Sequence, residues 1–542
     1  MSSRDDFTHL TVDQQERERF LVEFEESFRF GRLVRKLFKT ANSDPIYAQS
    51  ITRTMVSDAP YGSWFLVCRL PENLEERFGL TREFLVYCTD VDDLQVRALE
   101  QTQTLISNFR RSIDAELACI VVDDPRAPEK LRDWAFERTT GLTVIPITLA
   151  DLQKADASSQ AALELPRILS EWLFSRNLYD ERNPVTGSRF FGRDKEKGML
   201  QRTVRDGRHA GVFGLRKAGK TSLLHELRAS IRRDATTTLA AYVDLQGSAA
   251  TASAAHVAFV AGTELIREST ASDSTADITP VLAFPRRWDA NAGPIVLARF
   301  LDGLREWLSE VDNAGPRRVC LILDEIEVLL RDDPPFQLAV EFLSGLRAVS
   351  QQTGRLSIVL AGVNATICER PTLSRADNPL FGLVEMLPLG PLDDADAKDL
   401  VSRIGKKMGL RWNGEARDAL VQRAGRYPML VRLGASDVAT LNPERPRRIE
   451  IADVSRVMGA FHTHHTEIFR EMTESLLRYY PDEFELLRII AEGDRELAME
   501  WQREYPQAAN HLRGFGIVDL EDARIVLPVF EDWLAAYGGS LA

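Results

Sequence analysis

Nine consecutive residues carry the clearest chemistry in this chain. Gly214-Leu215-Arg216-Lys217-Ala218-Gly219-Lys220-Thr221 fits the pattern GxxxxGK[ST], and Ser222 follows it. These are the types that wrap a nucleotide phosphate. Glycines let the backbone bend so that successive N–H groups face an anion. The N-terminus of the helix that follows adds partial positive charge. Lys220 is expected to reach the β- and γ-phosphate oxygens, and the Thr221 hydroxyl to ligate Mg²⁺. All of 214–222 are candidate nucleotide contacts. The apolar "AGVF" before the loop reads as a strand and "TSLLHEL" after it as a helix, which is the context such a loop requires.

A second cluster lies about a hundred residues on. "VCLILDEIE" is an apolar run, Val319 to Leu323, that ends in Asp324 and Glu325. Such a run reads as a buried central strand, and carboxylates at its C-terminal edge stand where open α/β sheets bind ligands. Asp324 is expected to hold Mg²⁺, and Glu325 to orient or deprotonate an attacking water. The plainer alternative is that both acids cap the next helix. "SIVLAGVN" ends a further strand at Asn364, a candidate for the γ-phosphate or the attacking water, or simply a turn residue.

These residues need a sheet to position them. Strand patterns at 236–247, 318–327, 355–364 and 381–392, with helices between, predict a five-stranded α/β core over 185–392. The polar segment 177–189 reads as a linker, and 268–280 as an exposed loop. Helical periodicity over 393–465 predicts a lid. Residues 470–542 have the outline of a winged helix: helices, strand, turn, strand, helix. In the N-terminal region, 1–180, one long helix is expected around 14–39. Strand patterns at 63–70, 83–91, 116–124 and 142–149 follow, alternating with helices, which favours a mostly parallel sheet.

Composition narrows the class. The 542 residues are 44% hydrophobic and 27% charged, with a net charge of −13. That argues against a protein coated in nucleic acid or lying on an anionic membrane. The five cysteines are scattered, with no CxxC pair, the usage of a reducing compartment. The polar N-terminus is no signal peptide, and no apolar run approaches a bilayer span. A cytoplasmic protein is expected.

In their order, the motifs resemble those of STAND-type P-loop ATPases, relatives of the AAA+, Orc/Cdc6 and archaeal-type ATPases. "RFFGRDKE" (189–196) is similar to the segment that precedes their phosphate loop, and "LDEIE" to their Walker B strand. "NPLFGLVEMLPLGPLDDADAKDLV" is similar to their passage into the lid, and "GRYPMLVRL" to the lid's Gly-x-x-Pro stretch. The resemblance covers about 185–542. It implies ATP bound between core and lid, with Pro428 near the adenine, slow hydrolysis, and a nucleotide-driven change of form. It also implies a role in bacterial regulation or defence. The chain departs from the pattern at Leu383, where the family often has arginine. Arg370 and Arg375 are nearby candidates for that role, and Arg432 for a lid arginine that senses the γ-phosphate.

The ends are less legible. Residues 470–542 hold seven arginines, no lysine and fifteen acidic residues, a net charge of −8. Nucleic-acid binding draws on Lys and Arg, so this region is expected to face the core or a protein partner instead of DNA. His462, His464 and His465 do not converge on one helix face and read as a solvated helix. In the N-terminal region, Asp90, Asp92, Asp93, Asp123 and Asp124 follow strands and either bind a ligand or cap helices. A nuclease-like site would want an E-x-K, and Glu83-Phe84-Leu85 lacks the lysine.

The resulting expectation is a four-part α/β protein: an N-terminal α/β domain (1–180), a P-loop NTPase core with a parallel sheet (185–392), a helical lid (393–465) and a winged-helix domain (470–542). Its cofactors are ATP and Mg²⁺. It acts as a hydrolysing switch with a protein partner or self-association and no membrane. Two alternatives stand beside it: a DNA-associated AAA+ loader or transposition-type regulator, and a nucleotide-activated effector with a nuclease-like N-terminal domain.

Overall fold

The computed structural model describes residues 14–52, 56, 60, 62–79, 83–108, 113–137, 142–180, 183–233, 238–246, 253–271, 278–282, 293–312, 315–330, 336–373 and 376–538. They form two compact units. The first is 1–178 with 402–412 and 439–449, and the second is 179–401 with 413–438 and 450–542. Among the described residues no helix is long and apolar enough to cross a membrane.

The first unit begins with two helices, α1 (Gln14–Ser27) and α2 (Gly31–Thr40), in place of the single helix expected. The chain folds back at Gly31, where a Cβ would stand 2.5 Å from the Phe24 carbonyl oxygen. Then come β1 (Tyr47–Ser50), β2 (Trp64–Cys68), α3 (Glu72–Phe78), β3 (Glu83–Cys88), α4 (Arg97–Asn108), β4 (Ile113–Val122), α5 (Ala127–Glu137), β5 (Thr143–Thr148), α6 (Leu149–Ala157) and α7 (Glu164–Leu173). The sheet runs β1-β2-β3-β4-β5. Its β3–β4 and β4–β5 pairs are parallel, but β1–β2 and β2–β3 are antiparallel. The sheet is therefore mixed, and one strand larger than the sequence suggested. The four residues of β1 are too short and too polar to register as a strand pattern. The connection through the seven-residue α3 reverses the chain and makes no parallel crossover. Three buried thiols, Cys68, Cys88 and Cys119, lie in its core, pushed above the usual thiol range by burial. Two short parallel strands, β15 (Leu410–Trp412) and β16 (Arg447–Ile449), belong to this unit. Here Arg445 donates to the carbonyls of Phe174 and Arg176.

Of the acids singled out in this unit, Asp124 accepts backbone amides as a cap does. Asp124, fully buried, accepts from Leu94 N at 2.9 Å and Arg126 N at 2.8 Å, and Lys130 Nζ lies 2.6 Å from its carboxylate. Burial works against its charge, but Lys130 and the two amides outweigh it and lower the Asp124 pKa. Asp93 also meets Lys130, and Asp123 meets Arg29.

The second unit is built on a fully parallel sheet. Its elements up to the last sheet strand are α8 (Asp194–Arg205), β6 (His209–Phe213), α9 (Lys220–Arg233), β7 (Thr238–Asp244), α10 (Ala254–Ala271), α11 (Thr279–Leu282), α12 (Gly293–Ser309), a hairpin of β8 (Val311–Asp312) and β9 (Gly315–Pro316), β10 (Arg318–Asp324), α13 (Phe336–Thr353), β11 (Leu356–Gly362), α14 (Thr366–Glu369), a hairpin of β12 (Thr372–Leu373) and β13 (Ala376–Asp377), and β14 (Val384–Pro388). The strand order is β14-β6-β11-β10-β7. β6 comes first in the chain yet lies between two later strands. The loop after it therefore opens at a switch in strand order, the crevice where such sheets bind ligands. Val319 to Leu323 of β10 and Leu356 to Ala361 of β11 are buried, as strands covered on both faces must be. The segment 268–280 is not all loop: Glu268 ends α10 buried, ion-paired to Arg228 and Arg232.

After the sheet come α15 (Asp394–Lys407), α16 (Gly414–Arg423), α17 (Pro428–Leu441), α18 (Ile451–Met458), α19 (Phe461–His464), α20 (Thr466–Tyr479), α21 (Pro481–Glu492), α22 (Arg495–Glu504), α23 (Pro506–Phe515), an antiparallel hairpin of β17 (Val518–Asp519) and β18 (Arg524–Ile525), and α24 (Pro528–Tyr537). α23 packs on the end of β14: a Cβ on Gly514 would stand 2.9 Å from the Pro388 side chain. The Tyr427 hydroxyl donates to the Phe515 carbonyl at its last turn.

Candidate functional site

The chain leaves β6 at Phe213 and turns at Gly214, whose N–H donates to Gly362 O at the end of β11. A Cβ at Gly214 would stand 2.3 Å from the Leu389 carbonyl oxygen, so the close approach needs glycine. Gly219 has φ +93°, a region open to glycine and costly to other residues. Lys217 also stands at positive φ, a local strain of order 1 kcal/mol. α9 then starts at Lys220, as the motif's geometry demands.

Lys220 is buried, and its ammonium donates to Gly214 O at 2.9 Å and Leu215 O at 3.1 Å. Burial lowers its pKa, opposed by the charges of Glu327, Glu325 and Asp324. The Thr221 hydroxyl donates to Asp324 Oδ2 at 2.8 Å. Tyr242, on β7 beside β10, donates to the same oxygen at 2.9 Å, and the Glu325 amide to Oδ1 at 3.0 Å. Burial raises the pKa of Asp324, against the pull of Thr221 and Lys220. Hydroxyl and carboxylate together make a hard oxygen donor set of the kind Mg²⁺ takes.

Glu325 sits at φ +56°. Its carboxyl is pushed up to about 6 by burial and by the neighbouring Glu327 carboxylate. Both Glu327 oxygens accept from Val363 N, at 3.2 and 3.1 Å. Gly362 makes room for this: a Cβ there would come within 2.1 Å of Glu327 Oε2.

Lys220, Thr221 and Glu325 border a cleft of about 300 Å³. Of the residues singled out from sequence, it is lined by Arg216, Lys217, Gly219, Lys220, Thr221, Ser222, Glu325 and Pro428. Leu215 and Ala218 are fully buried and support the loop from behind. Arg432 is buried, borders the cleft and donates to Arg189 O at 3.0 Å. Asn364 stands two residues beyond the end of β11, and its Oδ1 accepts from the amide and hydroxyl of Thr366. That is the turn role, and Asn364 does not line the cleft. Arg370 is exposed, and Arg375 lies outside the described residues.

Several lining residues were not singled out. Asn183, Pro184 and Val185, inside the supposed linker, form one wall, and Val185 N donates to Ser222 Oγ at 3.1 Å. Gln246, Met429 and Glu471 complete it, with Glu471 3.9 Å from Lys217. Arg193 stands at φ +65°, and its guanidinium donates to the carbonyls of Ala218, Gly390 and Pro391. It ties the phosphate loop to the exit of β14. The Gly-Arg pair in "RFFGRDKE" was the visible signal for it. Of the three histidines at 462–465, His465 bonds Asp437 at 2.8 Å.

No protein-family model matches the chain, and no curated protein matches it. Solved structures do. A Walker-type ATPase of Pyrococcus abyssi is 17% identical, over 66% of this chain and 99% of that one, with a TM-score of 0.43. The ORC2 protein of Aeropyrum pernix, solved in ADPNP–ADP complexes, is 14% identical over 67% and 99%, with a TM-score of 0.40. Domain III of the replication initiation protein DnaA of Thermotoga maritima is 12% identical over 50% and 95%, with a TM-score of 0.31. The chemistry of the cleft stands on its own geometry.

Proposed function

We propose that this chain is an ATP-binding and slowly hydrolysing switch of the STAND type. The observation that carries the reading is the convergence of Lys220, Thr221 and Glu325 on one cleft from two strand ends separated by a single strand, with Asp324 in hydrogen-bond contact with Thr221. Gly214 to Ser222 cradle the phosphates, with the ammonium of Lys220 on the β- and γ-oxygens. Thr221 and Asp324 hold Mg²⁺, which supplies charge neutralisation on the phosphates. Glu325 accepts the proton of the attacking water. Pro428 and Met429 border the base. The parts of this switch are 1–180, a sensor or interaction domain, 185–392, the core, 393–465, the lid, and 470–542. In the last, α21 to α23 and the β17–β18 hairpin follow the order of a winged helix. The setting is cytoplasmic, in regulation or defence.

The output is a protein surface or self-association. A net charge of −8 over 470–542 and the packing of α23 on β14 both speak against a DNA-loading role. A nuclease role is disfavoured by the engagement of Asp124 with Lys130 and two amides. The deciding experiment measures ATP binding and phosphate release for Lys220→Ala and Glu325→Gln. Loss of binding in the first, and retained binding without turnover in the second, support the reading. Undiminished turnover in both overturns it.

A further inference from the structure

One side chain outside the cleft stands where it can set how the catalytic groups are held. Tyr480, buried at the joint of α20 and α21, donates its hydroxyl to Val363 O at 2.6 Å and accepts from Ala365 N at 2.7 Å. Those two peptide groups flank Asn364. From the other side Glu327 takes Val363 N with both oxygens, and its carboxylate acts electrostatically on that of Glu325. One residue earlier, Gly362 O receives the N–H of Gly214 that opens the phosphate loop. Residues 362–365 therefore carry hydrogen bonds to the loop, to the acid pair and to the C-terminal helices at once. A second tie lies close by: His511 of α23 bridges Glu369 of α14, at 2.9 Å, and Glu483 of α21.

We propose that Tyr480 is a positioning residue for hydrolysis: it clamps the peptides on both sides of Asn364 and, through Glu327, fixes Glu325, so that the C-terminal helices set the turnover rate. The hydroxyl does this work separately from the ring, which has its own packing, with centroids 5.2 Å from His511 and 5.3 Å from Phe515. Removing the oxygen leaves a buried carbonyl and a buried amide without partners, which the strand end relieves only by moving. Coupling of this kind travels through contiguous hydrogen bonds between packed elements.

The proposal rests on the hydrolytic reading of the cleft, and its test separates the two. Full-length Tyr480→Phe and wild type are compared for kcat, KM and nucleotide affinity. Amide hydrogen exchange is followed with and without a non-hydrolysable ATP analogue and Mg²⁺. The expected result is a kcat lowered about fivefold or more, the rate equivalent of losing at least one of the hydroxyl's two hydrogen bonds. KM and affinity stay within about twofold, and exchange at 363–369 is faster. In wild type the analogue slows exchange at 481–515, and in the variant it does not. Wild-type kcat and wild-type exchange in the variant overturn the proposal, as does a parallel fall of kcat and affinity, the mark of general damage. If wild type shows no protection of 214–222 by the analogue, the nucleotide reading itself fails and the proposal falls with it.

Discussion

Thr221 and Asp324 are 103 residues apart in sequence and joined by a 2.8 Å hydrogen bond. The bond brings the first residue after the loop lysine to the end of the strand two places along the sheet. It fixes where a divalent ion would be shared between hydroxyl and carboxylate. Asp324→Asn weakens the charge on one side of that pair and leaves the loop's amides and Lys220 in place. We expect Mg²⁺-free ADP binding to change less than about threefold, while the Mg²⁺ needed for half-maximal ATPase rises tenfold or more, as loss of a carboxylate ligand implies. Metal titration of both proteins checks this.

Tyr242 shares Asp324 Oδ2 with Thr221. Tyr242→Phe keeps the ring and removes one of the two hydroxyl donors. A few-fold loss of kcat with unaltered nucleotide affinity is expected, in line with about 1 kcal/mol for one hydrogen bond. Steady-state kinetics beside a direct binding assay separate the two quantities.

Glu325 titrates at about 6 in the free protein, raised by burial and by Glu327. A base works when deprotonated, so kcat/KM should climb as pH rises through about 6 and level off above it. Glu327→Gln removes the second-largest cause of the shift, and the climbing limb should move to lower pH. A pH–rate profile that is flat from 5 to 8 in wild type would refute the role given to Glu325.

His511 gives a pH dependence of opposite sign. Burial pulls its pKa down, but the hydrogen bonds it donates to Glu369 and Glu483 overcome this and lift it to about 9, against an ordinary 6.5. A cation stabilised by folding contributes fully below about 6.5, and the contribution fades as pH rises through about 9. His511→Asn should therefore lower the melting temperature most near pH 6, with up to about 3 kcal/mol lost. The gap to wild type should narrow by pH 10. Melting curves across that range decide it.

The phosphate loop and the Asp324-Glu325 pair were legible because their residues are local in sequence. A phosphate loop needs its glycines, lysine and threonine in one run, and a buried strand ending in Asp324-Glu325 announces itself by its apolar stretch. What sequence left obscure depends on tertiary placement. Tyr480, Glu327 and Tyr242 act through one or two hydrogen bonds to backbone or to one carboxylate, and no spacing rule marks them. Asn183 to Val185 read as linker because polar, proline-bearing segments usually are, yet their backbone lies on Ser222. The antiparallel start of the N-terminal sheet escaped because β1 is four residues long. Asn364 was placed at the right strand end, and its carboxamide oxygen turned out to be spent on Thr366.

The grip of Lys220 on its own loop has a consequence for selectivity. With its ammonium bonded to Gly214 O and Leu215 O, the loop holds its shape around an internal cation. An incoming ligand must offer that cation better oxygens than two peptide carbonyls. Under the proposed reading those would be the β-oxygens of a diphosphate or triphosphate, and a nucleoside monophosphate would leave the lysine with its carbonyls. The length of the phosphate chain would then be what the loop reads first, before any base or sugar.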